Sequence, residues 1–141
     1  MELNYYSQDI DYSFENTEII NALIKSVLIA EVKNGDSVSI IFTSEKNIIS
    51  LNEHYLNRNY GTDIIAFDYS ENEIISGDLF ICIPVVQSNS ATYDVSFEEE
   101  LMRVIIHGIL HLCGYADKTD DEKELMRYKE DKYLKPYKSI A

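Results

Sequence analysis

The sequence predicts an α+β domain on three observations. Its 141 residues, 45% of them hydrophobic and spread along the chain, suffice for one core. A chain of that length buries roughly two-thirds of the surface its unfolded form exposes. Strand-like patterns collect in the order βαβαββ ahead of the last helices. Two capping-box signatures, at residues 96–99 (SFEE) and 119–122 (TDDE), then open helices in the last third. No linker or internal repeat interrupts the pattern, so residues 1–141 are read as one domain.

Residues 3–7 (LNYYS) suit a first strand. Over 17–33 the apolar residues Ile20, Leu23, Ile24, Val27 and Leu28 recur at helical spacing, and Gly35 ends the pattern. Residues 37–44 (SVSIIFTS) are β-branched and alternating, hence a strand. Ser44 can cap a helix whose apolar positions are Ile48, Ile49, Leu51, Tyr55 and Leu56. Two further strands, 62–69 (TDIIAFDY) and 77–83 (GDLFICI), flank a polar loop, SENEIIS. Pro84 and SNSATYD follow as a short helix or loop. The helix opened by Ser96 runs through Leu101, Val104, Ile105 and Leu112 to Gly114, and the last extends from Thr119 towards Tyr133, before Pro136.

The net charge of -13 argues at first sight against a nucleic-acid partner. Its distribution modifies that reading: residues 1–117 hold 5 Lys/Arg against 19 Asp/Glu, and residues 118–141 hold 7 against 6. A solvated helix with mixed charges accounts for the basic residues more simply than an RNA-binding patch does. The acidic N-terminus has no apolar run, so neither a secretory signal nor a membrane span is expected. Cys82 and Cys113 are too few and too far apart for a disulfide framework, and both read as core. A reducing cytoplasm is the expected compartment.

Chemistry concentrates in residues 107–117, HGILHLCGYAD. His107 and His111 lie one helical turn apart on one face, and two imidazoles so placed can reach one metal ion. Gly114 can end the helix in a left-handed turn and let the chain fold back. Asp117 can then approach the same ion as a hard third ligand, leaving a fourth position open. Asp120 or Asp121 could substitute for it, although Asp is favoured in a first helical turn in any case. His54, alone on a polar helix face, reads as a surface residue.

HGILHLCGYADK resembles the signature His-Gly-x-Leu-His-Leu-x-Gly-Tyr-Asp-His of the YbeY proteins, metal-dependent bacterial endoribonucleases. LNEHYLNRNYGTDIIAF (51–67) is similar to the family's Leu-Asn…Tyr-Arg…Thr-Asp-Val-Leu-Ser-Phe block, and SGDLFICIP (76–84) to its Leu-Gly-Asp-Ile strand. Met126 and Glu130 fall at the usual spacing after the motif. The resemblance implies a mixed four-stranded sheet packed with helices and a Zn²⁺ site of three ligands at the end of a central helix. It also implies cleavage of single-stranded RNA, 3′ maturation of small-subunit ribosomal RNA and ribosome quality control. DNA and membranes are not expected partners. Four positions depart from the pattern. Asp117 stands for the third histidine, Ala116 for the aspartate before it, Leu56 for an arginine that Arg58 can replace, and Ala66 for a serine.

The site expected from the residues and the resemblance together is His107, His111 and Asp117 around Zn²⁺ or another divalent ion. Arg103, on the same helix face as His107, and Arg58 are the candidate phosphate contacts. Glu100 is a candidate to hold a ligand imidazole, or else a carboxylate favoured at a helix N-terminus. Asp63 and Asp78 are explained by strand-end turns. No general base is assigned. The alternatives are a ribosome-assembly factor with a structural metal, bound to the small subunit or a basic ribosomal protein, and a zinc peptidase. The ligand spacing is also that of metzincins, but Gly108 stands where those need glutamate. An iron(II) oxygenase is a further rival by ligand type.

Overall fold

The computed structural model describes residues 1–58 and 61–138. The elements are β1 (Glu2–Gln8), α1 (Thr17–Ala30), β2 (Asn34–Thr43), α2 (Glu45–Leu56), β3 (Ile64–Asp68), β4 (Ile74–Cys82), α3 (Ile83–Tyr93), α4 (Phe97–Leu112) and α5 (Asp120–Leu134), followed by a 3-10 turn, Lys135–Tyr137. The strands form one mixed sheet in the order β1-β2-β4-β3. β1, β2 and β4 run parallel, and β3 is antiparallel to β4. The α+β class and mixed four-stranded sheet are as expected.

Strand alternation divides the sheet into two faces. Val38, Ile40 and Phe42 of β2, with Ile75, Leu79 and Ile81 of β4, join the main core with α1 and α4. Ile65 and Cys82 face the other way, onto Ile48 of α2, in a smaller cluster. α4 packs against α1, α3, α5, β3 and β4, so its sequence is apolar on most sides. Ser96 caps it by accepting from the Glu99 amide at 3.1 Å. The Thr119–Glu122 capping box of α5 is complete.

Three boundaries differ from the sequence reading. α1 stops at Ala30 rather than Lys33, because Val32 adopts a left-handed φ of 57° and the Lys33 amide turns back to the Leu28 carbonyl. The expected loop before β4 is shorter: Ile74, Ile75 and Ser76 belong to the strand, and Ile75 is buried against the core. Strand and helix meet without a loop at Cys82, where Ile83 and Pro84 open α3, a position proline tolerates well. On α2, Tyr55 and Leu56 are exposed rather than core, and Asn52 is buried beside Ile48. Asp78 lies within β4, where its carboxylate accepts from the Tyr69 hydroxyl, rather than at a strand-end turn.

β4 approaches both β3 and α4 closely at Gly77. A Cβ there would lie 2.5 Å from the Phe67 carbonyl oxygen and 2.8 Å from a Leu112 methyl. Leu112 adjoins His111, so this contact sets the depth at which the motif helix seats. Gly77→Ala is expected to lower unfolding free energy by about 1–3 kcal/mol in denaturant titration, because backbone must move to admit the methyl.

Candidate metal centre

The site is built where α4 ends. Gly114 takes a φ of 106°, and the Tyr115 amide returns to the Leu110 carbonyl at 3.0 Å. Such a reversal needs a residue without a Cβ. It aims the next residues back at the helix. The Tyr115 carbonyl meets His111 Nδ1 at 2.8 Å, and Asp117 Oδ2 reaches His107 Nε2 at 3.1 Å and His111 Nε2 at 3.2 Å. The two Nε2 atoms are themselves 3.0 Å apart.

Hydrogen bonding at the far side of each ring fixes the tautomers. A carbonyl oxygen can only accept, so His111 Nδ1 carries a proton. His107 Nδ1 donates to Glu130 Oε2 at 2.6 Å. In the neutral rings both Nε2 atoms are therefore lone pairs, and they face each other and a carboxylate oxygen. Three mutually facing acceptors repel unless positive charge lies among them. Ligand atoms bound at 2.0–2.1 Å in a tetrahedron stand about 3.3 Å apart, close to these separations. The donor set thus fits a divalent cation such as zinc. Among the described residues, it is the one group of three His, Cys, Asp or Glu side chains with that convergence.

A proton answers part of the same demand. Burial lowers the affinity of His107 for a proton, but the hydrogen bond and charge of Glu130, with Asp117 and Asp63, outweigh it and raise its pKa above the usual 6.5. Among the described residues the Nδ1 partners of the two imidazoles are Glu130 and the Tyr115 carbonyl, not Glu100. Glu100 is buried, and desolvation raises its pKa. The imidazole holder is Glu130 of α5, itself bound by Arg103 Nη1 at 3.3 Å, while Arg103 Nη2 reaches Asp131 at 2.8 Å. A sequence signal for Glu130 existed: it falls on the face of α5 that buries Met126, Tyr133 and Leu134.

The returning loop is anchored from behind. Tyr115 donates its hydroxyl to Glu31 Oε1 at 2.5 Å, and the other Glu31 oxygen takes Lys129 Nζ at 2.9 Å and the Tyr133 hydroxyl. Glu31, at the end of α1, thus joins the loop to α5. Although burial opposes its charge, the three donors hold its pKa below the usual carboxylate value.

Two cavities meet at Asp63, His107 and Asp117. The larger, about 430 Å³, lies between α3, α4 and α5, and Arg103, Lys123 and Arg127 are among its lining residues. The smaller, about 220 Å³, is lined by Arg58, Leu56 and Ala66 among others, so with Asp117 three of the four departures from the family pattern line it. Arg58 is exposed there. His54 is exposed and contacts the Tyr55 ring, away from the cluster. Asp120 and Asp121 lie in the first turn of α5, outside the converging set.

The family model described as endoribonuclease YbeY matches residues 2–138. The chain belongs to the YbeY family. It is 42% identical over 129 residues to endoribonuclease YbeY of Flavobacterium johnsoniae, with 92% of this chain and 93% of that one covered. With endoribonuclease YbeY of Azobacteroides pseudotrichonymphae it shares 43% identity over 139 residues, covering 99% of this chain and all of the other. A solution structure from Thermotoga maritima superposes with a TM-score of 0.65 at 26% identity, covering 94% of this chain and 87% of its own.

Glu31→Gln is expected to lower unfolding free energy by about 1–2 kcal/mol at neutral pH, since it removes the charge that faces half-buried Lys129 and weakens three hydrogen bonds. Because the folded-state pKa of Glu31 is depressed, its contribution is present above the unfolded carboxylate pKa and vanishes as pH falls through the folded value. Denaturant titrations of both proteins from neutral to acid pH should therefore converge.

Proposed function

We propose that this chain is a metal-dependent endoribonuclease that cleaves single-stranded RNA and acts in maturation of small-subunit ribosomal RNA, in the cytoplasm. The observation that carries this reading is the acceptor-only cluster of His107, His111 and Asp117 in a YbeY-family chain. These three residues would hold Zn²⁺ or another divalent ion. The chemistry such an ion supplies is Lewis acidity towards a phosphoryl oxygen and activation of water.

The surrounding residues have separable roles. Glu130 keeps His107 in the tautomer that presents Nε2, and the Tyr115 carbonyl does the same for His111. Arg58, exposed on the smaller cavity, is the better-placed phosphate contact. Arg103 lines the larger cavity, but its guanidinium already binds Glu130 and Asp131, so it contributes first by holding Glu130 in place. With Asp117 in place of histidine, the site carries one unit less positive charge and is the weaker Lewis acid. The acidic remainder of the surface suits a basic ribosomal protein, as complementary charge favours.

A peptidase reading is disfavoured by geometry. A Cβ at Gly108 would lie 2.6 Å from Ile64 Cδ1 and 3.0 Å from Leu79, so this position faces the sheet rather than the site. A glutamate there could not serve as general base. The assembly-factor alternative differs by experiment: chelation should abolish RNA cleavage, and added metal restore it, only if the metal is catalytic.

Elemental analysis should find close to one zinc or equivalent divalent ion per chain, and Asp117→Ala should lose it. Retention by the variant would remove Asp117 from the ligand set. Glu130→Gln should keep the ligands yet weaken metal affinity about 10- to 100-fold in a chelator competition, because the imidazole loses its carboxylate support.

A further inference from the structure

The larger cavity has features that metal binding does not use. Tyr93, at the end of α3, is 63% exposed and lines it. Asn89, one turn earlier, lines it as well. On the opposite wall Lys123 and Arg127 stand one turn apart on α5, both exposed, and neither has an ion-pair partner among the described residues. The third cation, Arg103, is neutralised by Glu130 and Asp131. About 430 Å³ is thus lined by a ring, an amide and two free cations at one side, together with His107 and the carboxylates of Asp63, Glu99, Glu100, Asp117 and Glu130.

These chemistries match one nucleotide. An exposed aromatic ring stacks a base of any identity, free cations take a phosphate, and an amide hydrogen-bonds a base edge. The volume lies within the range of small-ligand sites, roughly 300–1,000 Å³. We propose that this cavity is the subsite for a nucleotide adjoining the scissile phosphate, with its base on Tyr93 and its outer phosphate between Lys123 and Arg127. The RNA strand then crosses the metal centre from this cavity into the smaller one at Arg58, since the two meet at Asp63, His107 and Asp117. Stacking makes recognition on the Tyr93 side tolerant of base identity. The inference rests on the endoribonuclease reading and adds a register to it.

The sequence contains no tryptophan, so Tyr93→Trp installs a single fluorescent reporter at an exposed position. The probe is a short, end-labelled single-stranded RNA titrated into the metal-loaded protein before cleavage sets in. Binding followed at the label should quench the tryptophan in parallel. Tyr93→Ala should weaken binding and raise KM about 10-fold, as loss of one stacked base does, with kcat less affected. Lys123→Ala with Arg127→Ala should flatten the log–log salt dependence of binding by roughly 0.7 for the lost phosphate contact. Unquenched tryptophan at saturating RNA, with unchanged affinity for Tyr93→Ala, overturns the subsite and leaves the nuclease reading standing. Absence of RNA binding by the unsubstituted protein overturns both.

Discussion

His107 Nε2, His111 Nε2 and Asp117 Oδ2 lie 3.0–3.2 Å from one another, and when the rings are neutral the hydrogen bonds behind them leave none of the three a proton to share. Such proximity of lone pairs is unfavourable unless a cation lies among them. The rest of the site can be understood as what enforces that proximity. The raised pKa of His107 is the same electrostatic demand met by a proton when no metal is bound. A metal bound among these atoms would therefore compete with that proton, and acid conditions would favour the proton.

Enforcement is distributed over the whole fold rather than confined to the motif. α4 supplies both histidines at a fixed spacing, and close contact with β4 at Gly77 sets its depth. The turn at Gly114 brings the Asp117 carboxylate back, and Glu31 secures that turn through the Tyr115 hydroxyl. α5 reaches the opposite ring through Glu130, which Arg103 steadies in turn. Helices α4 and α5 thus meet at the His107 imidazole, and the end of α1 braces the loop between them. The same packing opens a cavity on either side of the His107, His111 and Asp117 cluster, one presenting Arg58 and the other Tyr93, Lys123 and Arg127.

Much of this was legible in the sequence, for identifiable reasons. Helical periodicity located α1, which buries one apolar stripe, and capping-box signatures located the starts of α4 and α5. Gly114 and the spacing to Asp117 suggested a returning loop, because a helix ending in a left-handed turn has few other paths. What escaped was set by tertiary contact. Glu130 could be noted by its spacing, but no local rule says that a carboxylate on α5 meets a ring on α4. Glu100 was the more natural candidate on the motif helix, yet it is Glu130 that bonds His107 Nδ1, while Glu100 is buried along the same cavity. Nothing near Glu31 in the sequence signals that three donors from residues 115 to 133 converge on it. The start of β4 was hidden because Glu71–Glu73 look like loop, whereas Ile75 is drawn into the core beside β2.

The central claim, that both imidazoles are locked as Nδ1–H tautomers presenting bare Nε2 atoms to one cation, can be measured directly. Nitrogen NMR of the imidazole rings, recorded at a pH above the raised pKa of His107 before and after addition of one equivalent of zinc, reports both the proton's position and the metal's. The account predicts Nδ1–H for His107 and His111 throughout, with both Nε2 resonances moving on zinc addition while His54 stays unchanged. An Nε2–H tautomer at either ring, or zinc binding that leaves either Nε2 unmoved, would contradict it.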